Sequence, residues 1–542
     1  MSEPGKKSYG EILKSSALIG GSAAMVMGFG MVRSKVMAVL LGTAGVGFFG
    51  MYTQIAELVR MLAGLGINSS GVRQIAEAVG TGDSQRIAKT VTTLRRVALY
   101  SGLMGAVLLV ALCSPISALS FRNHEHAAAI ALLAFVAFCG DISAAQLALV
   151  QGMRKIADLA KMNVLGALYG TVFGIVIVYF WRLDGLVPSL MCVAAMTVLT
   201  SWWYARKIKV EKVRTTVNDV VGEASELVKL GVIFMVSNLA AQGATFFARL
   251  IVTRWLGVDS GGLYHAAWSL GGMYIGFIIQ AMGTDFYPRL TGAANRHDEV
   301  NRLVNEQAEV GLLMAGPGIM GTMAFAPVVL SVFYSRPFAD ASDLLRWFCL
   351  GMLLRVIAWP MGYIVLAKGN KKIFFWSEVL TWGGYAGVTA LLVWLFKLEG
   401  AGMAFFAEYA VYPIILYWIV RQLTGFRWTS ANRKLWLLYG PMVAAVFCIG
   451  RFQIFGKTGS LITGVALTAV AGVYSLVALA KLISSDRLPR QVRKIFKLLK
   501  LIPSDTNRNE EHENRNNRTG LCGAATVVSV RPERSDRSGT GY

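Results

Sequence analysis

Residues 33–50, RSKVMAVLLGTAGVGFFG, connect the end of one long apolar helix to the start of another through a glycine-rich turn. Two cations, Arg33 and Lys35, lie within the first of these helices. A charge in such an apolar surrounding needs a wet cavity or a partner. The stretch therefore predicts two helices joined by a sharp turn at Gly42. The two cations of the first helix should face a wet cavity or a polar partner.

The same pattern returns 215 positions later in the chain, where Arg249 and Arg254 precede the second copy of the turn. One such match can arise by chance in glycine-rich helices, but several at one offset indicate an internal duplication. The matched pairs are Leu41-Gly42 with Leu256-Gly257, Gly47 with Gly262, Asp83 with Asp298, and Leu183-Asp184-Gly185 with Leu398-Glu399-Gly400.

Composition assigns the broad class. Of the 542 residues, 55% are hydrophobic and only 15% are charged, against roughly 25% charged in a soluble domain. The mean hydropathy is +0.53, and apolar runs recur that are long enough to cross a hydrocarbon core about 30 Å thick. The sequence predicts an all-α polytopic membrane protein.

The charges and cysteines exclude several other classes of protein. The net charge of +22 lies in loops between apolar runs, as the positive-inside rule produces, so we expect no nucleic-acid partner. The six cysteines show no paired spacing in a loop, so we expect neither disulfides nor a zinc site. No motif indicates a cofactor, and we expect no metal site.

We predict 14 membrane spans, in two six-helix lobes followed by two additional helices. The offset of 215 residues places the first six spans on the second six, and the last two have no counterpart. The predicted spans are 15–41, 44–66, 97–119, 127–150, 162–181, 185–205, 230–256, 260–286, 309–333, 344–367, 373–396, 400–420, 436–455 and 460–483.

Alternate loops differ in their content of cations. Lys and Arg cluster in one set of loops and are sparse in the other, which places both termini in the cytoplasm. Six is an even number of spans, so both lobes have the same orientation and form a parallel repeat about an axis along the membrane normal. The cationic loops lie near 73–96, 154–161, 206–214, 289–302, 368–372 and 421–434.

The predicted domain boundaries follow from the repeat and from composition. Residues 1–215 form the first lobe, 216–425 the second lobe, and 426–485 the two additional helices. Residues 486–542 form a basic cytoplasmic segment and a polar tail that lacks the apolar content to pack, so we expect this tail to be disordered.

Ionisable side chains within the spans are the candidate functional residues. Cations exceed acids among them, which predicts a basic cavity and an anionic cargo. Two alternatives remain open: Glu57 and Arg60 are three residues apart on one helix and could simply pair, and His265 could be a satisfied buried histidine. The candidate binding cations are Arg33, Lys35, Arg60, Arg249 and Arg355, and the candidate ion-coupling groups are Glu57, Asp141, His265 and Glu408.

The start of the chain resembles a known family. Residues 32–78, VRSKVMAVLLGTAGVGFFGMYTQIAELVRMLAGLGINSSGVRQIAEA, resemble the O-antigen and polysaccharide translocases, which are lipid-linked oligosaccharide flippases of the multidrug/oligosaccharidyl-lipid/polysaccharide exporter superfamily. The resemblance extends over roughly residues 10–480. It implies that Arg33 and Arg60 face a central cavity, with Arg249 as an approximate match in the second lobe, and that Asp141 or Glu57 couples transport to an ion.

The resemblance also implies a function. Such proteins move an undecaprenyl-diphosphate-linked glycan, such as an O-antigen unit, from the inner to the outer leaflet of the cell inner membrane by alternating access. The expected partners are the lipid-linked oligosaccharide, membrane lipid, and a polysaccharide polymerase with its assembly proteins. The alternatives are a lipid II flippase, a multidrug exporter of the same fold, and a polysaccharide polymerase or ligase. We expect a transporter and not an enzyme, because every predicted outer loop is short and holds no acidic catalytic pair.

The predicted topology can be tested with fusions. A reporter fused after Arg490 should be active only in a form that works in the cytoplasm, and one fused at Asn123 only in a form that works in the periplasm. Activity of each fusion with both reporter types, normalised to fusion protein, is the measurement. The opposite pattern at either site would overturn the 14-span arrangement.

Overall fold

A computed structural model of the chain describes residues 4–64, 66–208, 235, 239, 241–368 and 371–482, and these residues contain helices and no strand. Nearly all of them belong to one compact unit, Met1–Gly472, while the end of the last helix belongs to a second, Val473–Tyr542. The helices are α1 (Pro4–Ala63), α2 (Ile67–Thr81), α3 (Ser84–Phe121), α4 (Ala127–Gly152), α5 (Ile156–Trp181), α6 (Leu186–Ala205), α7 (241–256), α8 (Val258–Gly292), α9 (His297–Ala324), α10 (Ala326–Phe333), α11 (Ser342–Ala367), α12 (Lys371–Thr424), α13 (Ser430–Phe452) and α14 (Gly456–Leu482).

The polytopic all-α fold is confirmed. By length and composition, eight helical segments of the described chain can cross a membrane, or nine if the bent pair α9–α10 counts as one span. Three of the eight contain a turn residue, at Gly42, Arg182 and Lys397, that divides two spans. With these three divided, with the bent pair α9–α10 counted as one span, and with α7 and α8 added, the described helices correspond to the 14 predicted spans, the seventh of them in part. The boundary predicted at residue 215 and the predicted tail lie outside the described residues.

The duplication is visible in the backbone itself. Gly42 has φ 68° and ψ −163°, and its counterpart Gly257 has φ 93° and ψ 167°. Arg182 has φ 50° and ψ −129°, and its counterpart Lys397 has φ 54° and ψ −134°. Positive φ is uncommon for residues other than glycine, so its recurrence in Arg182 and Lys397 shows that the two copies turn between spans in the same way.

One predicted span is broken. The sequence predicts a single span over 309–333, but the helix ends at Ala324 and α10 begins at Ala326 with a bend of 82°. Pro327 lies in the first turn of α10, where its missing N–H and its ring prevent α9 from continuing. The counterpart in the first lobe, α3, is one continuous helix of 38 residues, so this break belongs to the second lobe alone.

The two lobes meet where the two copies of the glycine turn face each other. A methyl group at Gly47 would lie 2.2 Å from the carbonyl oxygen of Val258, and one at Gly262 would lie 2.0 Å from that of Thr43. The Thr43 hydroxyl donates a hydrogen bond to Asp259 at the same contact. Only glycine at both positions lets the backbones approach this closely. We call this contact the glycine seal; the predicted topology puts it at the outer side.

The additional helix α13 is fixed to the second lobe by polar contacts. Arg451 donates to Asp343 at 2.7 Å and forms an ion pair with Glu399 at 2.9 Å. Nearer the start of α13, the side-chain amide of Asn432 donates to the side chain of Asn305 at 2.9 Å. These contacts attach α13 to α9, α11 and α12 of the second lobe.

The glycine seal can be loosened by one methyl group. Gly262→Ala would force the two turns apart, and overpacking of this kind costs about 1–3 kcal/mol, enough to shift a two-state equilibrium roughly 5- to 150-fold. In a variant without native cysteines, Thr43→Cys and Asp259→Cys should crosslink, and Gly262→Ala should lower the yield. Gly276→Ala, on the same helix with open space around it, is the control. Equal crosslinking yields in the Gly262→Ala and Gly276→Ala variants would show that the contact between the two turns does not need glycine at position 262.

Candidate functional site

Arg33 lies on α1 within a space left by small residues of α5. Its guanidinium carbon is 5.4 Å from the centroid of the Phe49 ring, within the range of a cation–π contact. A methyl group at Gly170 would lie 2.8 Å from Arg33 Nη1, and one at Gly174 would lie 3.5 Å from its Cδ. The two glycines therefore form a channel for this side chain, whose Nε is buried without a hydrogen-bond partner.

Arg249, on the equivalent helix of the second lobe, reaches across to the first lobe. It is 5% exposed, and its Nη1 donates to the carbonyl oxygen of Gly50 at 2.6 Å. Its guanidinium carbon lies 5.9 Å from the centroid of the Tyr264 ring, and its Nε has no hydrogen-bond partner. The side chain is thus held in position but keeps unused donor capacity.

Two further side chains join these arginines. His265 and Tyr334 each lie within electrostatic range of both Arg33 and Arg249, and the His265 ring packs edge-on against Phe49. Within the part of the chain that the structure describes, no carboxylate forms an ion pair with either arginine. We call Arg33, Arg249, His265 and Tyr334 the interlobe cluster; it is a site of net positive charge between the two lobes.

The neighbouring cations are engaged elsewhere. Lys35 donates to the carbonyl oxygen of Ser331 in α10 at 2.9 Å, which links α1 to the broken helix of the second lobe. Arg254 donates to the carbonyl oxygens of Ala118 and Leu119, at 2.8 and 2.6 Å. Arg254 therefore caps the end of α3 and does not belong to the interlobe cluster.

Arg60 lies in a different place, inside the first lobe. Its Nε donates to Glu57 at 3.0 Å, and a second bond joins Nη2 to the other carboxylate oxygen. The open alternative of a simple Glu57–Arg60 pair is therefore what the structure shows. Asp141, 6% exposed, lies within electrostatic range of both residues and has one oxygen without a hydrogen-bond partner.

Glu57 and Arg60 line what we call the first-lobe cavity, a space of about 510 Å³ within the first lobe, and Arg355 lines the second-lobe cavity, of about 250 Å³. Glu408 lines a third space of about 520 Å³ near Trp376 and Trp418. Neither arginine of the interlobe cluster lines any of the three. The hypothesis that all four arginines line one basic cavity is therefore corrected: Arg33 and Arg249 lie together between the lobes, while Arg60 and Arg355 line separate cavities, one in each lobe.

Sequence reasoning missed several residues of the site. Tyr334 reaches the interlobe cluster only because the helix breaks before α10, and no periodicity signals such a break. Gly170 is one of 57 glycines, and nothing in its sequence context marks it as the residue beneath Arg33. The aromatic residues of the second-lobe cavity, in contrast, could have been found from the sequence. A position-by-position comparison of the two halves shows them opposite small residues of the first half.

Comparison with known proteins places the chain in a family. Residues 12–294, slightly more than half of the 542, match the family described as polysaccharide biosynthesis protein. The chain belongs to this family. Lipid III flippase of Escherichia coli (strain K12) is 24% identical over 417 residues, which cover 74% of this chain and 96% of that protein. The protein of that name in Shigella flexneri matches equally well.

Solved structures confirm the fold of this polysaccharide biosynthesis protein. Lipid II flippase MurJ in an inward closed conformation has a TM-score of 0.65 at 12% identity, covering 86% of this chain and 99% of that one. A multidrug resistance MATE family transporter of the MOP superfamily, in an inward-facing conformation, has a TM-score of 0.59 at 17% identity, covering 77% and 96%. The chain thus has the fold of these transporters.

The coupling free energy of the Glu57–Arg60 pair should be larger than that of an exposed ion pair. Arg60→Ala should lower the melting temperature of the purified protein, and Glu57→Ala with Arg60→Ala should lower it by less than the sum, since groups in contact are coupled by about 0.5–3 kcal/mol. The control is the exposed pair Arg73–Glu77, for which coupling should be at most about 1 kcal/mol. Additive shifts at both pairs would contradict a structural role for the Glu57–Arg60 contact.

Proposed function

We propose that this protein is a flippase that moves an undecaprenyl-diphosphate-linked glycan from the inner to the outer leaflet of the cell inner membrane. The cargo is an O-antigen unit or another surface polysaccharide unit, and the two lobes alternate in opening toward either side. The observation that carries the proposal is the interlobe cluster: two arginines, from equivalent helices of the two lobes, that have no carboxylate partner among the described residues.

The chemistry of the cluster fits a diphosphate. Arginine binds phosphate oxygens through charge-assisted and often bidentate hydrogen bonds, and both arginines have a buried Nε without a partner. A cargo with two negative phosphates would offset the cost of keeping two cations at membrane depth. The family, and the names of the lipid III and lipid II flippases that this chain resembles, support a lipid-linked glycan as the carrier of that diphosphate.

The position of the cluster fits alternating access. Arg33 belongs to the first lobe and Arg249 to the second, and Arg249 is bonded across the interface to Gly50. A cargo bound between them would be shared by both lobes, so rocking of one lobe against the other would expose it to one side and then the other. The glycine seal holds the two lobes in contact on the predicted outer side.

The second candidate function is a multidrug exporter of the same fold, which the structural similarity to a MATE family transporter suggests. A cationic drug would need carboxylates at the point where the lobes meet, but the described residues place two guanidinium groups there. Of the carboxylates predicted to couple transport to an ion, Asp141 fits best: it is buried beside Arg60 and keeps one unbonded oxygen, while Glu57 is already held by Arg60.

Replacement of the cluster arginines tests the function. Arg33→Ala or Arg249→Ala would remove a charge-assisted hydrogen bond worth about 1.5–3 kcal/mol, so export should fall roughly 10- to 150-fold. Lysine at either position should rescue only in part, because it keeps the charge but not the planar fork, and glutamate should be worse than alanine. The measurement is surface glycan in a strain lacking the native gene, normalised to protein in the membrane.

Two controls sharpen this experiment. Arg73→Ala removes an exposed cation that pairs with Glu77 and should leave export unchanged. Gly170→Val leaves both arginines in the chain but fills the space that the Arg33 guanidinium occupies, so it should reproduce the Arg33→Ala defect. Normal export by the Ala variants of both Arg33 and Arg249, at normal protein level, would sink the proposal that they hold an anionic head group.

A further inference from the structure

The cavities inside the two lobes are copies of each other. Of the side chains around the second-lobe cavity, eight lie 215 positions after a residue around the first-lobe cavity. The spans that form the second-lobe cavity are α11 and the two halves of α12, the counterparts of α4, α5 and α6. The eight pairs are Gly140 with Arg355, Ser143 with Ala358, Ala144 with Trp359, Leu147 with Gly362, Gly166 with Thr381, Ala194 with Tyr409, Thr197 with Tyr412, and Ser201 with Leu416.

At six of the eight matched positions the second-lobe residue is the larger one, and at the other two, Ala358 and Gly362, it is the smaller one. Three small residues of the first lobe, Ala144, Ala194 and Thr197, correspond to Trp359, Tyr409 and Tyr412 in the second. The larger side chains account for the smaller volume, about 250 Å³ against 510 Å³. The matched positions thus surround a roomy space lined by small residues in the first lobe and a tighter one lined by aromatic faces in the second.

Each cavity is lined by one arginine, and the two arginines stand at non-equivalent positions on different helices. In the first lobe, Arg60 extends from α1 over Gly140, where a methyl group would lie 2.7 Å from the Arg60 Cδ. In the second lobe, Ile275 stands at the position of Arg60 and Arg355 at that of Gly140. Each lobe therefore places one guanidinium next to the same wall of its cavity, which indicates that the charge has a use in both.

The two arginines differ in their bonding. Arg60 is held by Glu57, whereas no described carboxylate forms an ion pair with Arg355. The guanidinium carbon of Arg355 lies 6.0 Å from the centroid of the Tyr409 ring. Trp359 is fixed nearby by an edge-on contact with Tyr363, with centroids 4.7 Å apart. The second-lobe cavity thus combines aromatic walls with an arginine that has no carboxylate partner among the described residues.

We propose that the second-lobe cavity, with Trp359, Tyr409 and Tyr412 around Arg355, binds one sugar ring of the glycan head group. This inference rests on the proposed flippase function and adds a glycan subsite separate from the interlobe cluster. A pyranose ring has polarised C–H bonds on its faces, which pack against the negative faces of aromatic rings. Its hydroxyl groups lie around its edge and accept hydrogen bonds from arginine.

Other parts of the same cargo fit this cavity less well. A diphosphate needs several donors close together, and here one arginine stands among apolar ring faces. The isoprenoid chain of the cargo is apolar, so it gains nothing from an arginine and can remain in the bilayer. The volume of about 250 Å³ is below the roughly 300–1,000 Å³ of pockets for drug-sized ligands, so the cavity has room for about one ring and not for a whole oligosaccharide.

The experiment compares two lipid probes that differ only in the sugar. Full-length protein in nanodiscs is titrated with undecaprenyl diphosphate and with the same lipid bearing one N-acetylhexosamine, each competing against a labelled lipid. The wild type should bind the sugar-bearing lipid more tightly. Trp359→Leu and Tyr412→Thr, the second of which restores the first-lobe residue, should each weaken that lipid by roughly 3- to 10-fold and leave the bare lipid unchanged.

Controls separate this proposal from the function on which it rests. Arg33→Ala should weaken both lipids alike, and Trp394→Leu, which removes a tryptophan 66% exposed on α12, should weaken neither. The subsite is overturned if the cavity variants weaken both lipids equally or neither, even though Arg33→Ala behaves as expected. If the wild type binds neither lipid, the flippase function fails and the subsite fails with it.

Discussion

The close approach of two glycines controls how the lobes meet. Gly47 and Gly262 let the turning helices touch backbone to backbone, and this contact sets the distance over which every interlobe side chain must reach. Arg249 reaches the Gly50 carbonyl at 2.6 Å because that carbonyl lies only one helical turn beyond Gly47. With a larger residue in the seal, the same arginine would lose its fixed acceptor, and the pair of cations would no longer face a common point.

The duplication makes the two lobes alike, and the residues where the two copies differ give the space between the lobes its particular side chains. Both copies keep the turns at Gly42 and Gly257 and at Arg182 and Lys397. The second copy alone breaks its third helix, and the break turns α10 toward α1, where Ser331 accepts from Lys35. The same break brings Tyr334 to the interlobe cluster. A symmetric pair of lobes would offer two identical half-sites, whereas the broken helix gives the space between them one distinctive side.

Much of the fold was predictable because membrane insertion leaves strong signals in sequence. Apolar length gives the spans, and a constant offset gives the repeat. The break at Phe325 was missed since Pro327 sits inside a run whose hydropathy is that of an ordinary span. The members of the interlobe cluster were predicted in part: Arg33, Arg249 and His265 stand out as charges among apolar residues, but Tyr334 does not. The grouping of the arginines was wrong because depth in the membrane says nothing about which lobe encloses a side chain.

A charge inside a membrane protein has to be read together with what surrounds it. Arg60 and Arg355 are both cations in apolar spans, yet Arg60 pairs with Glu57 three residues away on its own helix and Arg355 faces an aromatic ring. Arg33 and Arg249 differ from both, because the duplication places them on facing helices and the described residues offer neither a carboxylate. The balance of charge among the described residues of the interface is therefore positive, and in the proposed function that positive charge, more than any single contact, favours an anionic cargo.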